Sequence, residues 1–196
     1  MERRHVVASF AAALTFPAIA AKAQQSMQQP SQESAANAPG RGAAMGDAEM
    51  QHMKRTQTVG SLSLAMSRVA LKKSDDEDVK EFAQFEVAEQ ETIADILKSM
   101  QMGIVSGTLK PPSDSEVEAN LDDKGKAMFE KLQQAKAGAA FDREYIIGQM
   151  DGHKQLVQIQ EDYLKAGKNP EAVAVAKLAR GMIKEHLTSW GTSRTI

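Results

Sequence analysis

Apolar side chains recur at intervals of three and four through most of the chain beyond residue 46, as they do along one face of an α-helix. The most regular stripe lies near the C-terminus and comprises Val175, Ala176, Ala179, Met182, Ile183, His186, Leu187 and Trp190. Two further stripes comprise Phe141, Tyr145, Gln149, Gly152, Leu156, Ile159 and Tyr163, and Val59, Leu62, Met66 and Val69. Because no strand-like alternation competes with these stripes, the pattern predicts an all-α protein.

Residues that start and end helices divide this pattern into segments. The starting signals are Asp47, the capping boxes Ser74–Glu77 and Ser113–Glu116, and the Asn169–Pro170 pair. The ending signals are glycines, namely Gly103, Gly138 and Gly167. The predicted helices span residues 47–73, 75–102, 113–136, 139–165 and 170–190, and the third is predicted to break near Gly125.

The connections between these segments are short, and short connections favour antiparallel neighbours. The expected architecture is therefore an up-and-down bundle of four principal helices plus a short extra helix. We place this bundle at residues 47–191.

The first 46 residues do not fit the bundle. Residues 1–23 contain two arginines, a short apolar run and the small-x-small pattern Ala21-Lys22-Ala23, which together predict a cleavable signal peptide. The run from Val6 to Ala20 is interrupted by Pro17 and is shorter than the roughly 20 residues of a spanning helix. Residues 24–46 are rich in Gln, Ser, Ala, Pro and Gly, which predicts a disordered tether. We therefore expect an exported protein of the periplasm or cell envelope, with no transmembrane helix after cleavage.

Composition narrows the possible chemistry. The chain has no cysteine, which excludes disulfides, iron–sulfur clusters and cysteine-ligated zinc. Its formal net charge of −2 and the lack of a long basic run give no case for nucleic-acid binding. Nucleophile motifs and phosphate-binding glycine loops are also missing, so we assign no catalytic residue and no organic cofactor.

Polar residues interrupt the apolar face of the second helix. Glu86, Glu89 and Gln90 fall within the stretch EFAQFEVAEQETIADIL, among apolar positions such as Phe82 and Ile93. An ionised carboxylate that is buried without a partner costs several kcal/mol, about as much as the whole stability of a domain. Glu86 and Glu89 must therefore be solvated, protonated, paired with a cation or bound to a metal ion, and the sequence leaves these four options open.

Helical bundles build metal sites from inward-facing carboxylates and histidines. The candidate metal ligands are Glu89, His153 and His186, with Glu86 and Tyr145 as possible neighbours. Iron, manganese, zinc or copper could be held by such a set. The alternative is that His186 is a core histidine with one hydrogen-bonded nitrogen and that His153 lies at the edge of the core.

A second candidate site lies at the start of the first helix. Met45, Met50, His52 and Met53 offer thioether and imidazole groups, which suit Cu(I) because soft ligands select soft ions. The alternative is that Met50 and Met53 simply begin the apolar face of that helix.

Four stretches resemble a known family. They are VKEFAQ (residues 79–84), FDREYI (141–146), GHKQLVQI (152–159) and AKLARGMIKEHL (176–187). In this order they resemble the exported bacterial family catalogued as domain of unknown function 4142, over residues 47–190. The resemblance implies a ferritin-like helical bundle in the periplasm or envelope, and it implies no established reaction.

The resemblance also bears on the candidate site. The family typically carries a Glu where this chain has Ser63, and an Asp-His pair where it has Glu89 and Gln90. His153 and His186 fall where the family carries its later histidines.

Three hypotheses for the function follow. The first is a non-enzymatic helical protein that binds an envelope partner, with a role in stress tolerance or surface interaction. The second is a ferritin-like metal-binding protein or oxidase with an altered core site. The third is a copper-binding protein that uses the Met/His group.

Overall fold

The computed structural model describes residues 45–104 and 107–193, with side chains described up to residue 189. The helices are α1 (Asp47–Lys73), α2 (Glu77–Met102), α3 (Asp114–Ala119), α4 (Asp123–Gln134), α5 (Ala139–Ala166) and α6 (Pro170–Ser193). The predicted all-α fold is confirmed, because the described residues form helices and connections but no strand. The predicted signal peptide and nearly all of the predicted tether lie outside the described residues.

The predicted short extra helix is present as two helices, α3 and α4. They are separated at residues 120–122 rather than near Gly125. The side chain of Asp122 accepts a hydrogen bond from the Gly125 backbone N–H at 2.7 Å, so the two residues begin α4 together. An N-cap of this kind stabilises a helix start by about 1 kcal/mol.

Two predicted helix starts are wrong in detail. The N-cap of α1 is Gly46, which offers no side-chain cap, and Asp47 lies inside the first turn. Ser74 ends α1 instead of starting α2, whose cap is Asp76. Asp76 accepts hydrogen bonds from two backbone N–H groups of the first turn, at 3.0 and 3.1 Å. Several acids compete for the cap within this stretch, and sequence spacing alone does not choose among them.

Other predicted boundaries are confirmed. Ser113 and Glu116 form a reciprocal capping box, and Asn169 caps α6 through the backbone N–H of Ala172 at 3.0 Å. Gly103 ends α2 with φ of 66°, in the left-handed region that glycine adopts at little cost. Gly167 ends α5 too, but with extended backbone.

Of the four long helices, α1 and α5 each pack against two of the others. Helix α1 packs against α2 and α5, and α5 packs against both α1 and α6. The short helices α3 and α4 lie on α1. Helix α2 contributes to the same interior, since Met100 packs against the cluster formed by Tyr163 of α5 and Ala172 and Ala176 of α6. None of the described helices is long and apolar enough to cross a membrane.

The buried face of α1 is less apolar than its stripe predicted. Val59, Leu62 and Val69 are only partly buried, whereas several small and polar residues of α1 are buried. Those facing the neighbouring helices include Thr56, Gly60, Ser61, Ser63, Ser67 and Ala70. Because α1 packs against two long helices at once, small residues allow close approach, and their hydroxyl groups must find hydrogen-bond partners inside the bundle.

Candidate metal centre

Three side chains from three helices converge inside the bundle. Glu86 of α2, His153 of α5 and His186 of α6 each offer one ligand atom, and these atoms lie within 4.8 Å of one another. Glu86 Oε1 lies 3.0 Å from His153 Nε2 and 2.8 Å from His186 Nδ1. The two ring nitrogens are 3.0 Å apart. One carboxylate oxygen and two imidazole nitrogens thus face a common point.

Each histidine has its outer nitrogen engaged elsewhere. His153 Nδ1 lies 2.8 Å from the backbone carbonyl oxygen of Gln149, one helical turn earlier. A carbonyl oxygen can only accept, so this nitrogen carries the proton. His186 Nε2 lies 3.3 Å from Glu89 Oε1, which again favours a proton on the outer nitrogen. The inner nitrogens therefore present lone pairs when the rings are neutral, as they do in metal-ligating histidines.

The centre is buried on one side and open to solvent on the other. Glu86 and His153 are fully buried, whereas the side chains of His186 and Glu89 are 15% and 23% exposed. The partly exposed side of the centre is therefore the one where α2 carries Glu89 and α6 carries His186. Phe82 covers the imidazoles, with its ring centroid 5.7 Å from that of His186 and 6.3 Å from that of His153.

The electrostatics of the centre are set by its hydrogen bonds. Burial raises the pKa of Glu86, but its contacts with the imidazoles of His153 and His186 and with the Ser63 hydroxyl outweigh this and lower it to about 2. Hydrogen bonds to Glu86 and then Glu89 raise the pKa of His186 to about 10, against the opposing effect of burial. Without a metal ion, the centre is therefore an ion pair between the Glu86 carboxylate and the His186 imidazolium.

The second carboxylate oxygen of Glu86, Oε2, is hydrogen-bonded to the first of a row of polar side chains between α1 and α5. Ser63 Oγ lies 2.7 Å from Glu86 Oε2 and 2.8 Å from Gln149 Oε1. The Gln149 amide donates to Ser67 Oγ at 3.0 Å, and Ser67 is 2.9 Å from the Tyr145 hydroxyl. The hydroxyls of Ser63 and Ser67, which α1 buries, are thus satisfied by these contacts.

Tyr145 lies at the end of this row of polar side chains, away from Glu86. Its hydroxyl contacts Ser67 rather than either histidine, and burial raises its pKa above the usual value. Of the two neighbours predicted from the sequence, Glu86 therefore lies at the centre, and Tyr145 is linked to it only through other side chains.

The structure brings both predicted histidines together, but with Glu86 rather than Glu89. Glu89 contacts only the outer edge of His186, and Gln90 faces α1 instead of the centre. Glu86 and Glu89 are three residues apart on α2, so both suit one helical face, and the rotation of α2 about its axis decides which one points inward. Sequence spacing alone does not fix that rotation.

The donor set fits a transition-metal ion. Two imidazoles and one carboxylate are a known ligand set of three-ligand zinc and iron sites, which keep a further position for water or substrate. Tetrahedral ligands at zinc distances lie about 3.3 Å apart, so the three side chains would separate by only a few tenths of an ångström. The described residues contain one such three-ligand group. The centre therefore suits a single ion rather than a pair.

The Met and His side chains at the start of α1 are more dispersed than the side chains of the candidate metal centre. His52 is buried, stacks on Tyr163 with centroids 4.0 Å apart, and places Nε2 2.6 Å from Gln160 Oε1. Its Nδ1 has no hydrogen-bond partner among the described residues. Met53 is buried as well, but Met50 is 53% exposed, so these side chains lie in different environments. The copper hypothesis stays a prediction.

Comparison with known proteins agrees with the helical fold. A family model described as "Domain of unknown function (DUF4142)" matches residues 29–191. A crystal structure from Streptomyces coelicolor, described as a secreted DUF305 protein, superposes with a TM-score of 0.57 and 12% identity. The match covers 72% of this chain and 88% of that chain, and at this identity it shows the fold alone. No curated protein matches the sequence significantly.

Proposed function

The chain belongs to the DUF4142 family, a family without an assigned activity, and we propose that it is an exported, non-enzymatic protein that binds one divalent transition-metal ion. The proposed ligands are Glu86, His153 and His186. The observation that carries the proposal is the convergence of their three ligand atoms, with each outer imidazole nitrogen already hydrogen-bonded. Export is proposed from the leader-like residues 1–23 and the polar segment that follows them.

The arrangement of the outer groups favours a metal site over a simple buried ion pair. An ion pair between Glu86 and one histidine would need only a single imidazole. Here a second imidazole, that of His153, faces the same oxygen and the other ring at 3.0 Å, with its opposite nitrogen fixed by a backbone carbonyl. Backbone carbonyls and carboxylates are the groups that orient metal-ligating histidines.

Glu89 has a supporting role in this proposal. It holds the outer nitrogen of His186, and a carboxylate in this position fixes the ring and raises its basicity as a ligand. Glu89 therefore acts as a positioning residue rather than as the ligand that the sequence suggested.

The donor set suits several metals. Imidazole favours Zn²⁺, Cu²⁺ and Fe²⁺, and the single carboxylate leaves Mn²⁺ as a weaker option. In such sites Cu²⁺ binds more tightly than Zn²⁺ or Fe²⁺, so affinity alone does not identify the metal used in the cell. Both retained metal and affinity must be measured.

The test is metal binding by the purified protein after chelation and dialysis. Zn²⁺, Cu²⁺, Fe²⁺ and Mn²⁺ are added in turn, and bound metal and unfolding are measured. We expect one ion per chain and a stabilisation of about 2.7 kcal/mol at 100 times the dissociation constant. His186→Ala and His153→Ala should abolish this stabilisation by the metal ion. Glu89→Gln should keep one ion per chain but bind it roughly 10- to 100-fold more weakly.

His52→Ala is the matched control, because His52 is also a buried histidine but lies in a different cluster. This variant should still be stabilised by the metal ion, even if the substitution itself lowers its free energy of unfolding. If the wild-type protein neither retains nor responds to any of the four ions, or if His186→Ala responds like wild type, the proposal is wrong. If His52→Ala alone loses the response, the site is at the start of α1 instead.

A further inference from the structure

A cleft lies between α1 and α2, and none of its lining residues belongs to the candidate metal centre. The segment from residue 109 to residue 120 forms its third wall. Its volume is about 330 Å³, which falls within the range of small-molecule sites. The apolar part of the lining includes Leu64, Ile93, Leu97 and Leu109.

Two buried polar residues line the cleft without forming hydrogen bonds to each other. Gln90 is 7% exposed and Ser61 is 9% exposed, and both lie on its wall. Among the described residues, no hydrogen bond joins either side chain to another group, and their polar atoms are not enclosed by protein but reach the open space of the cleft. An amide or hydroxyl that has no protein partner in a cleft is hydrogen-bonded there by water or by a bound molecule. Both face space that another molecule can occupy.

Gly60 makes room for the Gln90 amide. The Oε1 atom of Gln90 lies 2.7 Å from the position that a Cβ on residue 60 would occupy, closer than real Cβ contacts come. The amide can therefore lie flat against α1 at the wall of the cleft only because residue 60 has no side chain. This places a hydrogen-bonding group beside an apolar surface, as ligand sites require.

The charged side chains that line the cleft are Asp95, Lys98, Lys110 and Glu116, two of each sign. Lys98 lies 3.7 Å from Glu116, and Asp95 accepts a hydrogen bond from the Leu109 backbone N–H at 3.1 Å. The buried part of the lining carries no charged group, and its polar side chains are the Gln90 amide and the hydroxyls of Ser61 and Thr56, which can each donate and accept. A charged ligand would lose its hydration there without gaining an ion pair.

We propose that this cleft binds a small uncharged molecule that carries an amide group next to an aliphatic portion. The ligand amide pairs with Gln90 through two hydrogen bonds, one donated and one accepted, and the aliphatic portion contacts Ile93 and Leu97. Ser61 supplies a further hydrogen bond. The cleft is separate from the metal centre and requires no metal ion.

Isobutyramide is a suitable probe, and isobutyrate, which has the same shape with a charged carboxylate, is the matched control. Both are titrated into the ¹⁵N-labelled protein and followed by NMR. We expect saturable shifts at residues 60–61 and 90–97 and at the Gln90 side-chain amide with isobutyramide, and at least tenfold weaker binding of isobutyrate. Gln90→Met should weaken isobutyramide binding at least tenfold. Gln155→Met changes an exposed amide on α5 and should have no effect.

The titration is repeated with His186→Ala to separate the cleft from the metal proposal. Isobutyramide should bind this variant as it binds wild type, so loss of the metal site leaves this result unchanged. The inference is overturned by the lack of saturable shifts at these residues, by equal binding of isobutyrate, or by unchanged binding to Gln90→Met.

Discussion

Replacing Glu49 with Gln tests how the start of α1 is held to the connection between α5 and α6. Glu49 is 6% exposed, and its Oε1 atom accepts three hydrogen bonds. They come from the backbone N–H groups of Lys168 and Asn169, at 3.0 and 3.2 Å, and from the Tyr163 hydroxyl at 3.1 Å. A hydrogen bond to a charged group contributes roughly 1.5–3 kcal/mol, and bonds that share one acceptor are not additive. Glu49→Gln keeps an oxygen acceptor but loses the charge, so we expect a loss of about 2–3 kcal/mol at pH 7.

The pH dependence of this contribution has a definite sign. The Lys168 backbone hydrogen bond is the main reason why the pKa of Glu49 falls from 4.5 to about 2, and the Asn169 and Tyr163 bonds add to it against the effect of burial. A carboxyl whose folded-state pKa is lowered stabilises the protein above its unfolded pKa, and this stabilisation is lost as the pH falls through the folded value. The wild-type advantage over Glu49→Gln should therefore be constant from pH 6 to 8 and shrink between about pH 4.5 and 2.

Urea unfolding of wild type and Glu49→Gln at a series of pH values measures this difference, in buffer without added metal. Glu130→Gln is the control, because Glu130 is exposed on α4, and this variant should track wild type within about 0.5 kcal/mol. A Glu49→Gln variant as stable as wild type at pH 7 would refute the reasoning. So would a stability difference that stays constant down to pH 2.

The remaining predictions concern helix ends and glycines, and each is measured by chemical denaturation. Gly103→Ala should cost about 1 kcal/mol because its φ of 66° disfavours a side chain, and an unchanged midpoint would contradict this. Gly181→Ala lies within α6 with nothing close to its Cβ position, so it should instead stabilise by roughly 0.5–1 kcal/mol. Asp76→Ala removes the cap of α2 and should cost about 1 kcal/mol, whereas Asp75→Ala next to it should be nearly neutral.

The long helices could be predicted because their periodicity and stop signals agree. The α5 stripe is buried almost throughout, and Gly103 and Asn169 end and begin helices where expected. Helix α1 was predicted less well, since an apolar stripe reports burial only when a helix packs on one side. Helix α1 packs against α2 and α5 together, so the residues that matter most are small ones such as Gly60 and Ser63, which have no periodic apolar signal.

The candidate metal centre could be predicted in composition but not in geometry. His153 and His186 stand out because each interrupts or borders an apolar stripe, and both converge as expected. The choice between Glu86 and Glu89 depends on how α2 is rotated, and the unpaired Gln90 depends on the glycine opposite to it. Both features depend on contacts between helices, and the spacing of residues along one helix does not specify those contacts.

Charge balance gives Glu89 a role beside Glu86 in the proposed metal-binding function. Without metal, the Glu86 carboxylate and the His186 imidazolium cancel. A divalent ion held by Glu86, His153 and His186 would replace the proton on the inner nitrogen of His186, and the ion, the Glu86 carboxylate and two neutral imidazoles would together carry a net charge of +1 in a buried setting. The partly exposed Glu89 carboxylate, at the outer nitrogen of His186, neutralises this charge. Since α1 contributes the Ser63 hydroxyl and no carboxylate, a second divalent ion would remain uncompensated, and the site is suited to one.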